Sequence, residues 1–416
     1  MKTFAARMYG KMDLRLESFE MPEITDEEIL ARVVTDSVCM SSYKEAHEGA
    51  EHKRVPKNID THPIIIGHEF CGEIIKVGSK WQHKYAVGDK FVIQPALNYR
   101  GTLDAPGYSY EFVGGASQYV VIPNEVMETD NLIKYNSQCF FMGSLSEPIS
   151  CIIGALNASY HTEKGKYIHN MGIKKGGKML ILAGCGPMGI GAIDYTLNGL
   201  EYGPSLFVVT DVNEERLIRA KELFKNKNVI ITNATSKEEL MELSGGTGYD
   251  DVFVFAPVEA LVELAGELLC EDGCLNFFAG PTNKDFYARF NFYNAHYGQA
   301  HIVGTSGGNR DDMVKAVRLM DEGKINPSVM ITHIGGLNAV VDTTLNLPRL
   351  DGAKKLIYNE IDLPLTKIVD FERLANENGE NAELFKGLAE ICQKNNNAWS
   401  AEAEKFLLTN AKKMEI

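Results

Sequence analysis

Side chains that can bind a metal ion occur at four positions in the N-terminal part of the chain: Cys39, His68, Glu69 and Glu147. Thiolate, imidazole and carboxylate groups are suitable zinc ligands, and a catalytic zinc keeps one coordination position open for water or substrate. Taken singly, each has a simpler interpretation: Cys39 as a small buried hydrophobe, His68 as a hydrogen-bonded core histidine, and Glu147 as a helix-start carboxylate. Their joint order ahead of a glycine-rich nucleotide-binding pattern favours a catalytic zinc site.

That glycine-rich pattern, GCGPMG at 184–189, lies between a predicted strand at 178–184 and a helix predicted from Pro187. In a GxGxxG turn the first glycine permits a tight turn and the second lets the backbone approach a pyrophosphate. The third lets the helix pack closely on the strand, and the helix N-terminus faces the phosphates. We therefore predict a dinucleotide site formed by Gly184, Gly186, Pro187, Met188 and Gly189.

The cofactor is predicted to be NAD. Asp211 ends the next predicted strand, at 207–211, where dinucleotide folds carry an acidic residue about 20 residues after the glycines. A carboxylate there accepts hydrogen bonds from the adenosine ribose and repels the 2′-phosphate of NADP. Arg216 lies nearby in the sequence and leaves NADP open as the alternative cofactor.

These residues need two kinds of scaffold. Residues 64–78, 89–95 and 117–123 are rich in β-branched residues and glycine, which predicts a mainly β domain. From Gly177, strands predicted at 178–184, 207–211, 229–233, 250–256, 274–280 and 301–306 alternate with helices from about 187, from Asn213 and over 310–322. Such alternation is typical of a parallel, doubly wound α/β sheet. The predicted domains are 1–160, 161–324 and 325–416, the last with helical stretches at 371–392 and 400–414.

Composition excludes several classes of partner. The 416 residues include 42 Lys and Arg against 56 Asp and Glu, a net charge of −14, which argues against binding to nucleic acid or an anionic membrane. The N-terminus lacks the apolar core of a signal peptide, and no apolar stretch is long enough to span a membrane. Eight cysteines without a signal peptide are expected to be reduced thiols or metal ligands in a cytoplasmic protein.

The combined motifs resemble those of the medium-chain, zinc-dependent alcohol and polyol dehydrogenases over roughly residues 1–360. That family has a cysteine followed two residues later by Ser or Thr, then GHExxG, a VGD turn, and a further Cys or Glu before the nucleotide domain. This chain has the corresponding residues in the same order: Cys39 with Ser41, Gly67-His68-Glu69 with Gly72, Val87-Gly88-Asp89, and Glu147-Pro148. The Glu-Pro form is similar to that of the polyol and threonine dehydrogenase branch.

The resemblance implies a GroES-like, mainly β catalytic domain split around a Rossmann domain. It also implies Cys39 and His68 as zinc ligands, with Glu147 and Glu69 as third and fourth ligands or water-bridged partners. Zinc would activate the alcohol or ketone oxygen, while Ser41 would take the hydroxyl proton and pass it through the nicotinamide ribose towards Lys44 or water. In that scheme Ser41, Lys44 and Glu69 are the catalytic residues.

Some positions depart from the family pattern. An aspartate that orients the zinc-bound histidine is replaced by Ser42, and a proton-relay histidine is replaced by Lys44. The four-cysteine lobe that holds a structural zinc is missing, because residues 94–115 contain no cysteine. We therefore predict one catalytic zinc and no structural zinc, with Cys270 and Cys274 in structural roles. The resemblance also implies a homodimer or homotetramer.

A narrower resemblance concerns the substrate. Residues 159–189 and 332–348 are similar to the sorbose-1-phosphate reductase group, which interconverts L-sorbose 1-phosphate and D-glucitol 6-phosphate. Candidate phosphate contacts are the basic residues Lys44, Lys53, Arg54 and Arg100. The alternatives are a dehydrogenase of an unphosphorylated polyol such as sorbitol, a zinc-free reductase of the same superfamily, which the presence of Cys39 and His68 disfavours, and a non-catalytic NAD-binding protein.

Overall fold

The computed structural model describes residues 1–377 and 379–414, and the chain divides into two compact units. The first unit comprises Met1–Glu147, Met313–Asp321 and the chain from Asn326 onwards; the second comprises Pro148–Asp312 and Glu322–Ile325. This division lies before the predicted boundary at 160/161, and it assigns most of the helix at 310–321 to the first unit. The return of the chain to the first unit after the second agrees with a split domain.

The N-terminal part of the first unit is mainly β. Its strands are β1 (Lys2–Gly10), β2 (Asp13–Glu20), β3 (Ile29–Val38), β4 (Ile64–Ile65), β5 (Phe70–Val77), β6 (Lys90–Ile93), β7 (Tyr119–Ile122) and β8 (Leu132–Lys134). The helices are short: α1 (Met40–Glu48), α2 (Asn124–Glu128) and α3 (Phe141–Ser144), followed by α4 (Ser146–Ala158), which continues into the second unit.

The second unit carries the alternating elements. Its strands are β9 (Tyr160–Thr162), β10 (His169–Met171), β11 (Lys178–Leu182), β12 (Leu206–Thr210), β13 (Ile230–Thr232), β14 (Tyr249–Val254), β15 (Leu269–Phe277) and β16 (His301–Gly304). Its helices are α5 (Pro187–Asn198), α6 (Glu214–Leu223), α7 (Lys237–Leu243), α8 (Glu259–Glu267), α9 (Phe292–Tyr297) and the start of α10 (Arg310–Asp321).

Six of these strands form one parallel sheet in the order β13-β12-β11-β14-β15-β16. This is the 3-2-1-4-5-6 order of a doubly wound dinucleotide-binding fold. The central strand β11 is buried along Met179–Leu182, as expected where helices cover both faces. The predicted α/β fold class is confirmed. The strand predicted at 274–280 begins earlier, at Leu269, and includes Asp272 with a left-handed φ of 61°.

The chain then returns to the first unit through β17 (Ile331–Gly336), α11 (Val340–Asn346), β18 (Lys354–Tyr358) and β19 (Thr366–Lys367). These strands extend a sheet in the order β19-β17-β18-β3-β5-β6-β8, with β7 also paired to β3. A second, smaller sheet has the order β2-β1-β4. The pairing of β18 with β3 places Tyr358 opposite Thr35.

The C-terminal extension packs on the first unit. The helical stretch predicted at 371–392 consists of two helices, α12 (Phe371–Ala375) and α13 (Ala382–Lys394), and α14 covers Ala401–Asn410. Phe371, Leu388, Trp399 and Leu407 are buried in one cluster with Leu356 of β18. The extension therefore contributes to the hydrophobic core of this unit. Among the helices in the described ranges, none has the length and apolar character needed to cross a membrane.

Candidate active site

A cluster of three potential metal ligands lies in the first unit. Cys39 is the extended residue between β3 and α1 (φ −113°, ψ 151°), and His68 and Glu69 lie between β4 and β5. One ligand atom from each of these three residues lies within 4.8 Å of the others. Gly67 before His68 has a φ of +91°, and a Cβ there would lie 2.5 Å from Asp36 Oδ2, so the turn into the cluster requires glycine.

The chemistry of the cluster fits a zinc ion. His68 Nδ1 is buried and has no hydrogen-bond partner among the described residues, which is costly unless a ligand is bound. Burial lowers the pKa of His68 to about 4, so the imidazole is neutral at physiological pH, as a metal ligand must be. Burial, reinforced by the charge of Glu69, raises the pKa of the Cys39 thiol to about 12. A bound metal would favour the thiolate.

Glu69 has a cationic partner that the sequence did not indicate. Lys354 on β18 donates to both carboxylate oxygens of Glu69, and both side chains are buried. Burial disfavours the charged lysine, but Glu69 raises the pKa of Lys354 above its ordinary value. The two residues are separated by 285 positions in the sequence, so no local sequence pattern predicts their contact. The only indication in the sequence is a lysine in the short stretch that forms the buried strand β18.

Glu147 lies in the first turn of α4 and is buried. It is outside the group of three ligand atoms within 4.8 Å, but its charge acts on both Cys39 and Lys354. The structure therefore places Glu147 near the cluster without bringing its carboxylate into it.

The segment leading to Glu147 is held by the C-terminal extension. Glu404 of α14 accepts hydrogen bonds from the backbone N–H groups of Phe140 (2.6 Å) and Phe141 (2.9 Å), at the start of α3. Its carboxylate also accepts from Tyr358 Oη (2.9 Å). The Tyr358 hydroxyl oxygen in turn accepts from Trp399 Nε1 (2.8 Å). Hydrogen bonds from helix-start N–H groups to an ionised carboxylate are strong. Glu404 was not predicted, because its partners are remote in sequence.

The predicted proton-transfer residues lie on α1. Ser41 is in its first turn, and Ser41 Oγ lies 3.6 Å from Cys39 Sγ. Lys44 follows three residues later, so both side chains lie on one face of the helix. Ser41 therefore lies beside the candidate metal ligands.

Another unpredicted residue, Tyr108, contacts the cluster from the loop after β6. Its ring centroid is 4.8 Å from that of His68, and Tyr108 Oη lies 3.3 Å from His68 Nε2. The Arg54 guanidinium lies over the same ring, 5.4 Å from its centroid. Of the other predicted phosphate contacts, Lys53 is exposed, and Arg100 is exposed and lies over Tyr99.

The glycine-rich turn of the second unit has the shape that a pyrophosphate site requires. Ala183 has the left-handed φ (57°), and Gly189 is essential because a Cβ there would lie 2.0 Å from the Gly184 carbonyl oxygen. A Cβ on Gly186 would meet only Arg216 Nη1, at 3.7 Å. Gly186 caps α5, with Pro187 and Met188 in its first turn. The backbone at Gly186 is therefore open at a helix N-terminus, where phosphates bind.

Asp211 follows β12 and is buried. Its carboxylate accepts hydrogen bonds from the backbone N–H groups of Cys185 and Asn213, each at 3.0 Å. Asn213, where the sequence predicted the start of a helix, caps α6 by accepting from Arg216 N. Asp211 thus connects the glycine-rich turn to the end of β12 by a hydrogen bond. Arg216 lies beside Gly186.

None of the eight cysteines, all of which lie in the described ranges, forms a disulfide bond. Cys270 Sγ lies 3.5 Å from Asp250 Oδ1, and Cys274 is buried in β15. In the described ranges, Cys39, His68 and Glu69 form the one group of at least three potential metal ligands. The absence of a structural zinc stays a prediction.

Comparison with known protein families identifies both parts of the chain. Residues 25–130 match the alcohol dehydrogenase GroES-like domain, and residues 202–322 match the zinc-binding dehydrogenase domain. These matches contain His68 and Asp211, respectively.

Relatives extend the likeness to nearly the full chain. L-sorbose 1-phosphate reductase of Klebsiella pneumoniae is 51% identical, over 98% of both chains. Mannitol-1-phosphate 5-dehydrogenase of Aliivibrio fischeri is 47% identical, over 98% of this chain and 97% of its own. The crystal structure of 2R,3R-butanediol dehydrogenase from Bacillus subtilis shares the fold, with a TM-score of 0.71 and 23% identity over 86% of this chain and 99% of its own. The chain belongs to the medium-chain, zinc-dependent alcohol and polyol dehydrogenase family and is an oxidoreductase.

Proposed function

We propose that the chain transfers a hydride between NAD(H) and a secondary alcohol or ketone of a polyol phosphate, with L-sorbose 1-phosphate and D-glucitol 6-phosphate as the preferred pair. The observation that carries the substrate class is the near full-length similarity to two enzymes named for hexose or hexitol phosphates. The cluster of Cys39, His68 and Glu69 supports the metal chemistry.

In this proposal Cys39, His68 and Glu147 bind the zinc, and Glu69 supports the site from its ion pair with Lys354. When bound, zinc supplies a Lewis acid that lowers the pKa of an alcohol and polarises a carbonyl. Because Glu69 is held by Lys354, we assign Glu147, the buried carboxylate near the cluster, as the third ligand. The neutral His68 and the thiolate of Cys39 complete a three-ligand set with one open position.

Ser41 accepts the proton of the substrate hydroxyl during oxidation and returns it during reduction. Its place beside Cys39 and on the same helical face as Lys44 supports a proton path along α1. Lys44 stands at the outer end of this path, where it exchanges the proton with water. A hydroxyl relays a proton because it is both donor and acceptor.

The cofactor is bound by the second unit. The backbone at Gly186 and the N-terminus of α5 bind the pyrophosphate, and Asp211 binds the adenosine ribose, which favours NAD. The hydride chemistry belongs to the nicotinamide, and the chain sets its orientation.

Steady-state turnover tests the proposal. D-glucitol 6-phosphate, free D-glucitol and the matching ketoses are each assayed with NAD(H) and with NADP(H). The expected result is NAD-linked turnover with a strong preference for the phosphorylated pair. Preference for free D-glucitol would instead assign an unphosphorylated polyol, and absence of turnover on every pair would contradict the assigned substrate class.

A further inference from the structure

Arg54 is a cation that makes no salt bridge within the described part of the chain. It is half-buried, its guanidinium lies over the Tyr108 ring, and it forms neither an ion pair nor a side-chain hydrogen bond there. A guanidinium presents five N–H donors in a fork that matches phosphate geometry. Such a group is available to an anionic ligand.

The backbone of Arg54 is fixed beside the metal cluster. Arg54 N donates to His52 Nδ1 (3.3 Å), and Ser109 Oγ donates to the Arg54 carbonyl oxygen (2.7 Å). The Tyr108 ring stacks on His52, with centroids 5.6 Å apart, and also contacts His68. Arg54 is therefore separated from a candidate metal ligand by one aromatic ring, and its loop is preorganised.

Glu45 gives a second, independent indication of a ligand. It lies one turn after Ser41 on α1, so the two residues share a helical face. Glu45 is fully buried, and neither of its carboxylate oxygens has a hydrogen-bond partner among the described residues. Burial raises the pKa of Glu45 well above its ordinary value, and Arg54 is the cation whose charge opposes that shift. A buried, unpaired carboxyl is costly unless a ligand satisfies it.

We propose that Arg54 binds the phosphate of the substrate and that Glu45 hydrogen-bonds to one of its hydroxyl groups. The inference rests on the proposed function, because it assigns the phosphate of that substrate to a site. In L-sorbose 1-phosphate the phosphate is on the carbon next to the reacting carbonyl, which suits a cation so close to the metal cluster. A local cation is also needed because the net charge of −14 repels a phosphate dianion.

Kinetics of Arg54 variants test the phosphate contact. Arg54→Gln is expected to raise the KM for D-glucitol 6-phosphate about 10- to 100-fold, the loss typical of a charged hydrogen bond. Turnover of free D-glucitol should change by less than about threefold. Arg54→Lys, which keeps the charge but not the fork, should give an intermediate KM. Lys76→Gln removes an exposed charge on β5 and controls for the overall field; its KM should match the unchanged enzyme.

Glu45→Leu tests the hydroxyl contact with two readouts. Removing an unpaired buried carboxyl should raise the thermal midpoint of the substrate-free protein, while the KM for phosphorylated and free polyols should rise together, about tenfold. Replacement of a residue with only a structural role would not raise both the thermal midpoint and the KM. An unchanged KM would overturn the role of Glu45.

The remaining outcomes separate the two proposals. If the unchanged enzyme prefers the phosphorylated pair and Arg54→Gln keeps that preference, the phosphate site is wrong and the proposed function stands. If the unchanged enzyme shows no preference for the phosphorylated pair, both the substrate assignment and the phosphate site are overturned.

Discussion

Lys354 Nζ lies 2.6 Å from each carboxylate oxygen of Glu69, and neither side chain is more than 5% exposed. Two charges removed from water in this way are tolerated only because they neutralise each other. The pair connects β18, from the C-terminal part of the chain, to the residue that follows His68. The stability of the first unit therefore depends on an ion pair that includes a residue of the candidate metal site.

Lys354→Met is expected to destabilise the zinc-free protein by about 3–5 kcal/mol, because it leaves Glu69 buried and uncompensated. The double variant Lys354→Met/Glu69→Gln removes both charges and should recover much of that loss. Denaturant midpoints of the two variants and the unchanged protein make the comparison. A double variant no more stable than Lys354→Met would show that the ion pair is not the reason for the loss.

Asp211 is expected to set cofactor preference. Asp211→Ser should raise the KM for NAD about tenfold or more, since it removes a charged acceptor. It should also lower the KM for NADP, because the repulsion of the 2′-phosphate is removed while Arg216 remains. Glu214→Gln, at an exposed site in the first turn of α6, is the control. An NAD to NADP preference unchanged by Asp211→Ser would contradict the assignment.

Glu404 is expected to hold the segment that leads to Glu147. Glu404→Gln replaces one of the two accepting oxygens by an NH2 donor, which faces a backbone N–H group, so it should cost about 1.5–3 kcal/mol of stability. It should also weaken zinc binding, measured by metal titration, because the start of α3 is released. Glu402→Gln, exposed on the same helix, should cost less than about 0.5 kcal/mol. Equal stability and equal zinc affinity for the two variants would refute this role.

His161 predicts a pH dependence of stability in the second unit. His161 Nε2 lies 3.1 Å from Asp251 Oδ1, and Nδ1 lies 2.9 Å from the Asp272 carbonyl oxygen. Burial lowers the pKa of His161, but Asp251 and Asp272 outweigh it and raise that pKa above 6.5. The resulting stabilisation is complete below about pH 6.5 and is lost as the pH rises through the folded-state pKa.

The thermal midpoint between about pH 6 and pH 9 measures this effect. His161→Gln removes the titrating group, so its midpoint should fall less steeply with rising pH than that of the unchanged protein. Parallel pH profiles for the two proteins would show that His161 does not carry the dependence.

Much of the fold was predictable because its signals are local. The GxGxxG turn between Lys178–Leu182 and Pro187–Asn198, and the Asn213 cap, depend on residues adjacent in sequence. The family was likewise predicted from short motifs around Cys39 and His68, and the comparisons with known proteins confirmed it. The interruption of the helix predicted at 371–392 was missed, although Asn376 and Gly379 within that stretch are local helix-stop signals.

The supporting residues of the site could not be predicted because their partners are distant in sequence. Lys354 meets Glu69 through the pairing of β18 with β3, and Glu404 meets Phe140 through packing of the C-terminal extension. Tyr108 reaches His68 from a loop with no motif. Glu45 resembles an ordinary helix-surface glutamate until the structure shows it fully buried.

The proposed function requires zinc held by Cys39 and His68 for turnover of a polyol phosphate. The most direct test is NAD-linked oxidation of D-glucitol 6-phosphate before chelator treatment, after it, and after addition of one equivalent of zinc. We expect activity to be lost on chelation and restored by zinc in the unchanged protein, but not in Cys39→Ser. Undiminished activity in protein shown by metal analysis to contain no zinc would contradict the zinc requirement.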